Sequence, residues 1–210
     1  METSTAFWSS DFALLELGDY ILSLIELLAV VFSLLSTYLL RQNNRLGWVL
    51  AILTNVCFFF FFYQIRLYAL MAVQVILACI HIAWSLKPPL EKGLPIKKLD
   101  SIGFPISVVA IIAPGMPLMI VLFKISQFLP NLFPLPATYI FPDALSATGG
   151  IVATVLLRRR FLESWIFWII IHSLLIIVFA WKGYYLAMMG QLAFLGYAAN
   201  EYLAWRNLAK

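Results

Sequence analysis

Long apolar runs broken by short polar clusters dominate the chain. Seven runs approach the roughly 20 residues a helix needs to cross the hydrocarbon of a bilayer: 20–40, 46–63, 67–86, 102–123, 137–157, 164–181 and 184–205. Lipid offers backbone groups no hydrogen-bond partners, so such runs close their own bonds as helices. The breaks between them are short and polar, with RQNNRLG, KPPLEKGLPIKKLD and RRRFLES the clearest. The stretch QFLPNLFPLPATYIFP differs, because its four prolines predict an irregular surface connection and leave room for the fifth span to begin later. Pro114-Gly115-Met116-Pro117 predicts a kink midway along the fourth.

Polar side chains recur inside these runs at helical spacing. At 100° per residue, positions i, i+7 and i+11 share a face. Glu26, Ser33 and Thr37 align on the first helix, and Asp143, Gly150 and Thr154 on the fifth. Gln74, His81 and Ser85 align on the third, and Tyr184, Gln191 and Tyr202 on the seventh. The second helix groups Trp48, Asn55, Phe59 and Phe62, and the sixth groups Trp165, Trp168, His172 and Phe179. Strongly polar side chains near mid-bilayer cost a few kcal/mol and ask for a reason.

Composition agrees with the pattern: 63% of the 210 residues are hydrophobic, 11% are charged, and the mean hydropathy is +0.95, values outside the range of soluble domains. Cys57 and Cys79 lie in apolar runs at no metal-ligand spacing and read as packing residues. The N-terminus has no basic residue ahead of its first apolar run, so it reads as retained and not as a signal peptide. With seven crossings, Arg41, Arg45, Lys87, Lys92, Lys97, Lys98, Arg158, Arg159, Arg160, Arg206 and Lys210 fall on one side, eleven of the fourteen basic residues. The positive-inside rule then puts the N-terminus outside and the C-terminus in the cytoplasm. The net charge of +4 reflects topology, not nucleic-acid binding.

Residues 26–74 align without a gap on 143–191 at an offset of 117, with eleven identities in 49 positions, against about 4 for chance in so biased a composition. The recurring residues include Thr37 and Thr154, Arg41 and Arg158, Trp48 and Trp165, Tyr68 and Tyr185, Met71 and Met188, and Gln74 and Gln191, with Asp143 opposite Glu26 and His172 opposite Asn55. A three-helix unit ends on the face opposite its start, so one extra crossing is needed to make two copies parallel. The fold class expected is therefore an all-α integral membrane protein: seven transmembrane helices as two parallel three-helix repeats joined by a linker helix, 3+1+3.

Plainer roles exist for several of these residues. Trp48, Trp84, Trp165 and Trp205 lie where interfacial belts collect Trp. Gln74 and Gln191 suit interhelical hydrogen bonds, as do His81 and His172. Glu26 and Asp143 suit pairing with Arg66 or Lys182, or capping of outer helix ends. No metal-ligand set, phosphate loop, nucleophile with its base, or cofactor motif is found in the sequence, so an enzyme is not expected.

The chain resembles the PnuC-type vitamin transporters of bacterial inner membranes. The likeness rests on IELLAVVFSLLSTYLL, the Arg-Gln-Asn-Asn break, the Gly-Trp start of the second helix, the Leu-Tyr-Ala start and Gln of the third, ESWIFWI, the Lys-Gly-Tyr-Tyr turn and a terminal Trp-Arg. It implies a SWEET-like 3+1+3 fold, a homotrimer, facilitated diffusion of an unphosphorylated vitamin, and trapping by a cytoplasmic kinase. Nicotinamide riboside carriers of the family are expected to show W-x-N-W-x-x-N on the sixth helix. Trp165 and Trp168 match, but Phe167 and Ile171 replace both asparagines. The resemblance therefore points to thiamine, with nicotinamide riboside, deoxynucleosides or riboflavin as alternatives; another class of alternative is a non-transporting scaffold or receptor. Both leading vitamins are cationic aromatics for which Trp faces supply about 0.5–2 kcal/mol each.

The division expected is an extracytoplasmic segment 1–19, repeat 1 over 20–86, a cytoplasmic loop and linker helix over 87–125, a Pro-rich outer loop 126–142, repeat 2 over 143–205 and a tail 206–210. The substrate-binding candidates are Asn55, Gln74, Trp165, Trp168, His172, Gln191, Glu26, Asp143, Phe59 and Tyr184. Partners expected are the vitamin and the lipid bilayer, with no nucleic acid and no cofactor.

Overall fold

A computed structural model of the chain describes residues 13–17, 20–42, 44–86 and 95–209. Lys87, Lys92 and Lys210, counted above for topology, and most of the segment 1–19 lie outside them. Seven helices follow one another: α1 (Leu24–Arg41), α2 (Leu46–Gln64), α3 (Tyr68–Ser85), α4 (Gly103–Phe128), α5 (Ile140–Arg158), α6 (Glu163–Lys182) and α7 (Tyr185–Leu208). Ahead of them, β1 (Ala13–Leu17) pairs antiparallel with β2 (Tyr20–Ser23), a short hairpin that the all-α expectation omitted. The first helix consequently starts at Leu24 and not at residue 20. Extended Ser23 ends the strand and caps the helix, its Oγ accepting from the Glu26 amide at 3.1 Å.

Three other boundaries moved, among them the end of α7, which lies at Leu208 and not at residue 205. The fifth helix begins at Ile140, after Tyr139 in the left-handed region (φ 48°), because 129–139 is the irregular connection its prolines predicted. The fourth runs past Lys124 to Phe128 and carries Pro114 and Pro117 inside one continuous helix. Six helices, α1 to α6, are long and apolar enough to cross a membrane. The seventh is long enough, at about 36 Å for 24 residues, but Gln191, Asn200, Glu201 and Arg206 make it less apolar. One of these, Glu201, is paired with Arg41 at 3.5 Å.

The helices stack so that α2 lies between α1 and α3, α6 between α5 and α7, and α4 against α5. Two further contacts, α3 with α5 and α1 with α7, join the two groups. Helix starts recur 117 positions apart: Leu46 and Glu163 open α2 and α6, and Tyr68 and Tyr185 open α3 and α7. The left-handed residue that turns each pair recurs as well, Arg66 (φ 61°) and Gly183 (φ 76°).

The joints between the groups are hydrogen-bonded. Asp143 on α5 accepts from the Ala69 and Leu70 amides in the first turn of α3, both at 2.9 Å. Glu26 on α1 accepts from the Ala187 amide in the first turn of α7 at 2.8 Å. Leu70 and Ala187 are themselves 117 apart. Both carboxylates are fully buried, at 0% and 1% exposure, and each satisfies a helix N-terminus that lipid leaves bare.

Asp143→Ala strands two buried amides and is expected to lower stability by about 2–4 kcal/mol. The detergent-solubilised protein should melt earlier, and Asp143→Asn, which keeps one acceptor, should melt between the variant and the wild type. Equal melting temperatures for Asp143→Ala and the wild type would show that the cap contributes nothing.

Candidate functional site

The two ends of the bundle differ. At the turn end, where α2 meets α3 and α6 meets α7, the core is solid: Phe61, Phe62, Leu67, Val178 and Phe179 are buried together. Phe62 stacks on Phe179, its counterpart at offset 117, with centroids 6.5 Å apart at 10°. Tyr184 stands edge-on to Phe61 at 5.4 Å. Lys182 Nζ donates to the Ile65 carbonyl at 2.7 Å and sits 5.2 Å over the Tyr139 ring. The Pro-rich connection straps this end: Tyr63 and Tyr68 hydroxyls donate to the Leu132 and Leu135 carbonyls, and the Thr138 amide to the Arg66 carbonyl.

Toward the other end the bundle is hollow. A cavity of about 590 Å³ runs from mid-helix to the ends that carry Arg41, Arg45, Arg158 and Arg160. All six polar stripes reach it, though not with every member: Ser33 and Thr37 on α1, Trp48, Asn55 and Phe62 on α2, Gln74, His81 and Ser85 on α3, Gly150 and Thr154 on α5, Trp165, Trp168 and His172 on α6, and Gln191 on α7. Six of the ten candidates therefore border one space: Asn55, Gln74, Trp165, Trp168, His172 and Gln191.

The other four do not. Glu26 and Asp143 lie beyond the closed end as helix caps, the plainer of their two roles. Tyr184 belongs to the packed turn end. Phe59 stands edge-on to Phe60 at 5.3 Å, while its neighbours Phe58 and Phe62 take the lining, because the α2 face that meets the cavity is rotated by about one residue.

Within the cavity the polar groups hold one another. Asn55 Nδ2 donates to His81 Nδ1 at 2.8 Å, and His172 Nδ1 donates to Gln191 Oε1 at 2.7 Å. Each bond ties a second helix of a group to the third, and Asn55 and His172 occupy positions 117 apart. Gln74 donates to the Leu70 carbonyl at 3.2 Å. Four buried side-chain polar atoms among the described residues have no protein partner, Thr54 Oγ1, Ser146 Oγ, Arg160 Nε and Trp165 Nε1, and all four residues line this cavity. Buried polar atoms are seldom left so, and their concentration here marks a place built to meet a solute or water.

The basic mouth is ordered by aromatic rings. The Arg158 guanidinium lies 5.4 Å over Trp84 and that of Arg160 5.2 Å over Trp205. Trp205 stands edge-on to Trp165 at 5.5 Å, and Trp48 to Trp84 at 6.3 Å. All four of these tryptophans border the cavity.

The family described as nicotinamide mononucleotide transporter matches residues 23–207. The chain belongs to that family. Nicotinamide riboside transporter PnuC of Escherichia coli (strain K12) is 26% identical over an alignment covering 92% of this chain and 89% of the relative, and the same protein of Shigella flexneri aligns equally. In fold, the chain is similar to a crystal structure of the vitamin B3 transporter PnuC, with a TM-score of 0.64 over 88% of this chain and 81% of the other at 17% identity. The relatives are transporters, not enzymes, and this family member is a multi-pass membrane protein.

Residues missed by the sequence reading also line the cavity, among them Thr54, Phe58, Ser146, Phe194, Tyr197 and Glu201. On α7 the lining runs Gln191, Phe194, Ala198, Glu201, Trp205, an i, i+3, i+7, i+10, i+14 face that Tyr184 and Tyr202 do not share. That spacing was present in the sequence, but the polar residues chosen to define the face placed it off axis. In the family's asparagine positions, Ile171 borders the cavity, whereas Phe167 turns away to stack on Phe104 of α4 at 5.8 Å.

Access should be one-sided in this state. In a background with Cys57 and Cys79 replaced by serine, Ser146→Cys should react with a membrane-impermeant thiol reagent supplied at the basic end. Phe61→Cys, in the solid half, should resist it from either side. Comparison of right-side-out and inverted vesicles reads this, and equal labelling of both positions would refute the closed turn end.

Proposed function

We propose that this chain is a passive carrier of nicotinamide riboside, moving the unphosphorylated vitamin across the inner membrane by facilitated diffusion while a cytoplasmic kinase traps it. The observation that carries the reading is a vitamin-sized cavity, bordered by Trp165, Trp168 and the amides of Asn55, Gln74 and Gln191, in a chain whose full-length relatives are named for nicotinamide riboside. Residue identity at the two missing asparagines favoured thiamine; the relatives move nicotinamide riboside to first place and thiamine to second. A scaffold without a ligand fits poorly with unpartnered polar atoms gathered around one cavity.

The architecture belongs to the same proposal. Repeat 1, over 20–86, and repeat 2, over 143–205, are parallel copies joined by a linker helix within 87–125 and an outer loop over 126–142. Eleven identities, recurrent helix starts and the reciprocal carboxylate caps support the duplication. On the positive-inside rule the basic end is cytoplasmic, so the N-terminus lies outside and the state described is open inward. Transport then requires the repeats to rock so that the Phe62 and Phe179 stack parts and the basic mouth closes. The homotrimer implied by the resemblance completes the reading, and the exposed apolar face of α4, which includes Val109, Met116 and Ile120, is the surface left for lipid or a neighbouring copy.

Calorimetry of the purified protein against nicotinamide riboside, thiamine, deoxynucleosides and riboflavin tests the function directly. Nicotinamide riboside should bind, and Trp168→Ala should weaken it about tenfold or more, the equivalent of about 1.4 kcal/mol. Failure of all four ligands to bind would sink the carrier, and an affinity indifferent to Trp168→Ala would move the site.

A further inference from the structure

His172 offers the cavity one edge only. Its ring stacks against Trp168, with centroids 5.4 Å apart at 17°, and against Phe194, at 5.5 Å and 18°. Its Nδ1 is engaged with Gln191 Oε1 at 2.7 Å. The edge that remains to line the cavity is the one carrying Nε2, which has no protein partner among the described residues. Because an amide oxygen can only accept, the bond to Gln191 places the proton on Nδ1, and in the uncharged ring Nε2 then presents a bare lone pair.

We propose that His172 Nε2 is a specificity-determining acceptor that reads an N–H donor carried by the ligand's ring, a carboxamide or an amino-substituted heterocycle, with Gln191 as the positioning residue that fixes the tautomer. This rests on the carrier reading above and adds the chemical group that is recognised. A ligand with a carboxylate or ring oxo group in that place sets lone pair against lone pair. Net charge would work the other way: Glu201 is paired with Arg41, whereas Arg45, Arg158 and Arg160 also border the cavity and would favour the acid member, so a preference for the amide reads the hydrogen bond. Sites built around a hydrogen bond reject analogues lacking it far more strongly than apolar pockets reject a change of size. The rings on either side contribute rigidity: stacking on two neighbours and a bond at Nδ1 leave the imidazole little freedom to swing Nε2 out of place.

Two matched ligand pairs test this on the full chain in detergent, by calorimetry: nicotinamide riboside against nicotinic acid riboside, and thiamine against its analogue with an oxo group in place of the pyrimidine amine. The first pair probes a carboxamide and the second an amino-heterocycle, so they separate the two sources of the donor. Wild type should favour the amide or amine member of the pair it binds by about tenfold or more. His172→Phe, which keeps the stack and loses the acceptor, should weaken that member until the preference falls below about threefold, leaving the acid or oxo member unchanged. Gln191→Leu should erode the preference in the same sense by freeing the tautomer. If His172→Phe does not fold, His172→Gln, which retains an acceptor, serves instead and should keep part of the preference. Equal loss for both members, or an intact preference in His172→Phe, would overturn the inference while the carrier stands. Absence of binding by every ligand would overturn both.

Discussion

The structure depends on two buried carboxylates acting across the bundle. A helix that starts inside a membrane protein leaves amide groups that neither lipid nor an apolar neighbour can satisfy. Here those of α3 are satisfied by Asp143 on α5, and one of α7 by Glu26 on α1. Each cap fixes the height and rotation of a helix that carries one of the cavity's three amides, Gln74 on α3 and Gln191 on α7. A change of one turn at either joint would carry those amides out of register with Asn55 and His172. The acids are remote from the cavity, yet they set its geometry.

The same joints explain why one end is packed and the other open. Near the caps, α1, α3, α5 and α7 are drawn together, and the aromatic residues of α2 and α6 fill what is left, down to the stack of Phe62 on Phe179. At the basic end the helix termini carry arginines whose mutual repulsion disfavours close approach. Trp84 and Trp205 hold Arg158 and Arg160 against the wall, and Arg41 is neutralised by Glu201 on α7. Separately, the α3–α4 connection is tied to the start of α6, Lys97 exchanging two backbone bonds with Arg160 and Leu162, and the Leu99 amide donating to Glu163. Rigid struts at one end and a charged, aromatic-lined opening at the other suit a site that must hold its shape while its access changes.

Much of this was legible in the residues. Apolar length located all seven helices, with most ends placed within a residue or two, because the loops between them are short and polar. The offset of 117 anticipated that Asn55 and His172, and Gln74 and Gln191, would border one space, since helix starts recur at that spacing. What escaped was set by tertiary geometry. A Glu or Asp near a helix end looks the same whether it meets a solute or caps a helix from the other group; only the position of Ala69, Leu70 and Ala187 decides. Phe59 and Phe62 lie on one nominal face, and a rotation too small to read from periodicity put Phe58 and Phe62 at the cavity and Phe59 off it. The hairpin at 13–23 was invisible because β2 is as apolar as the helix it precedes.

The two positions that lack the family's asparagines differ in their surroundings. Phe167 does not face the cavity at all; it is buried against α4, where an amide would need a partner that the apolar contact with Phe104 does not offer. Its replacement by Phe is a change in how α6 packs on α4, not a loss from the solute's surroundings. Ile171 does border the cavity, so one amide is missing there. One residue further along, His172 brings an imidazole acceptor to the same wall, and its tautomer is set by Gln191 on a different helix. The polar content of the site is therefore displaced by one position and supported across α6 and α7, which weakens any argument about the ligand that counts motif asparagines alone.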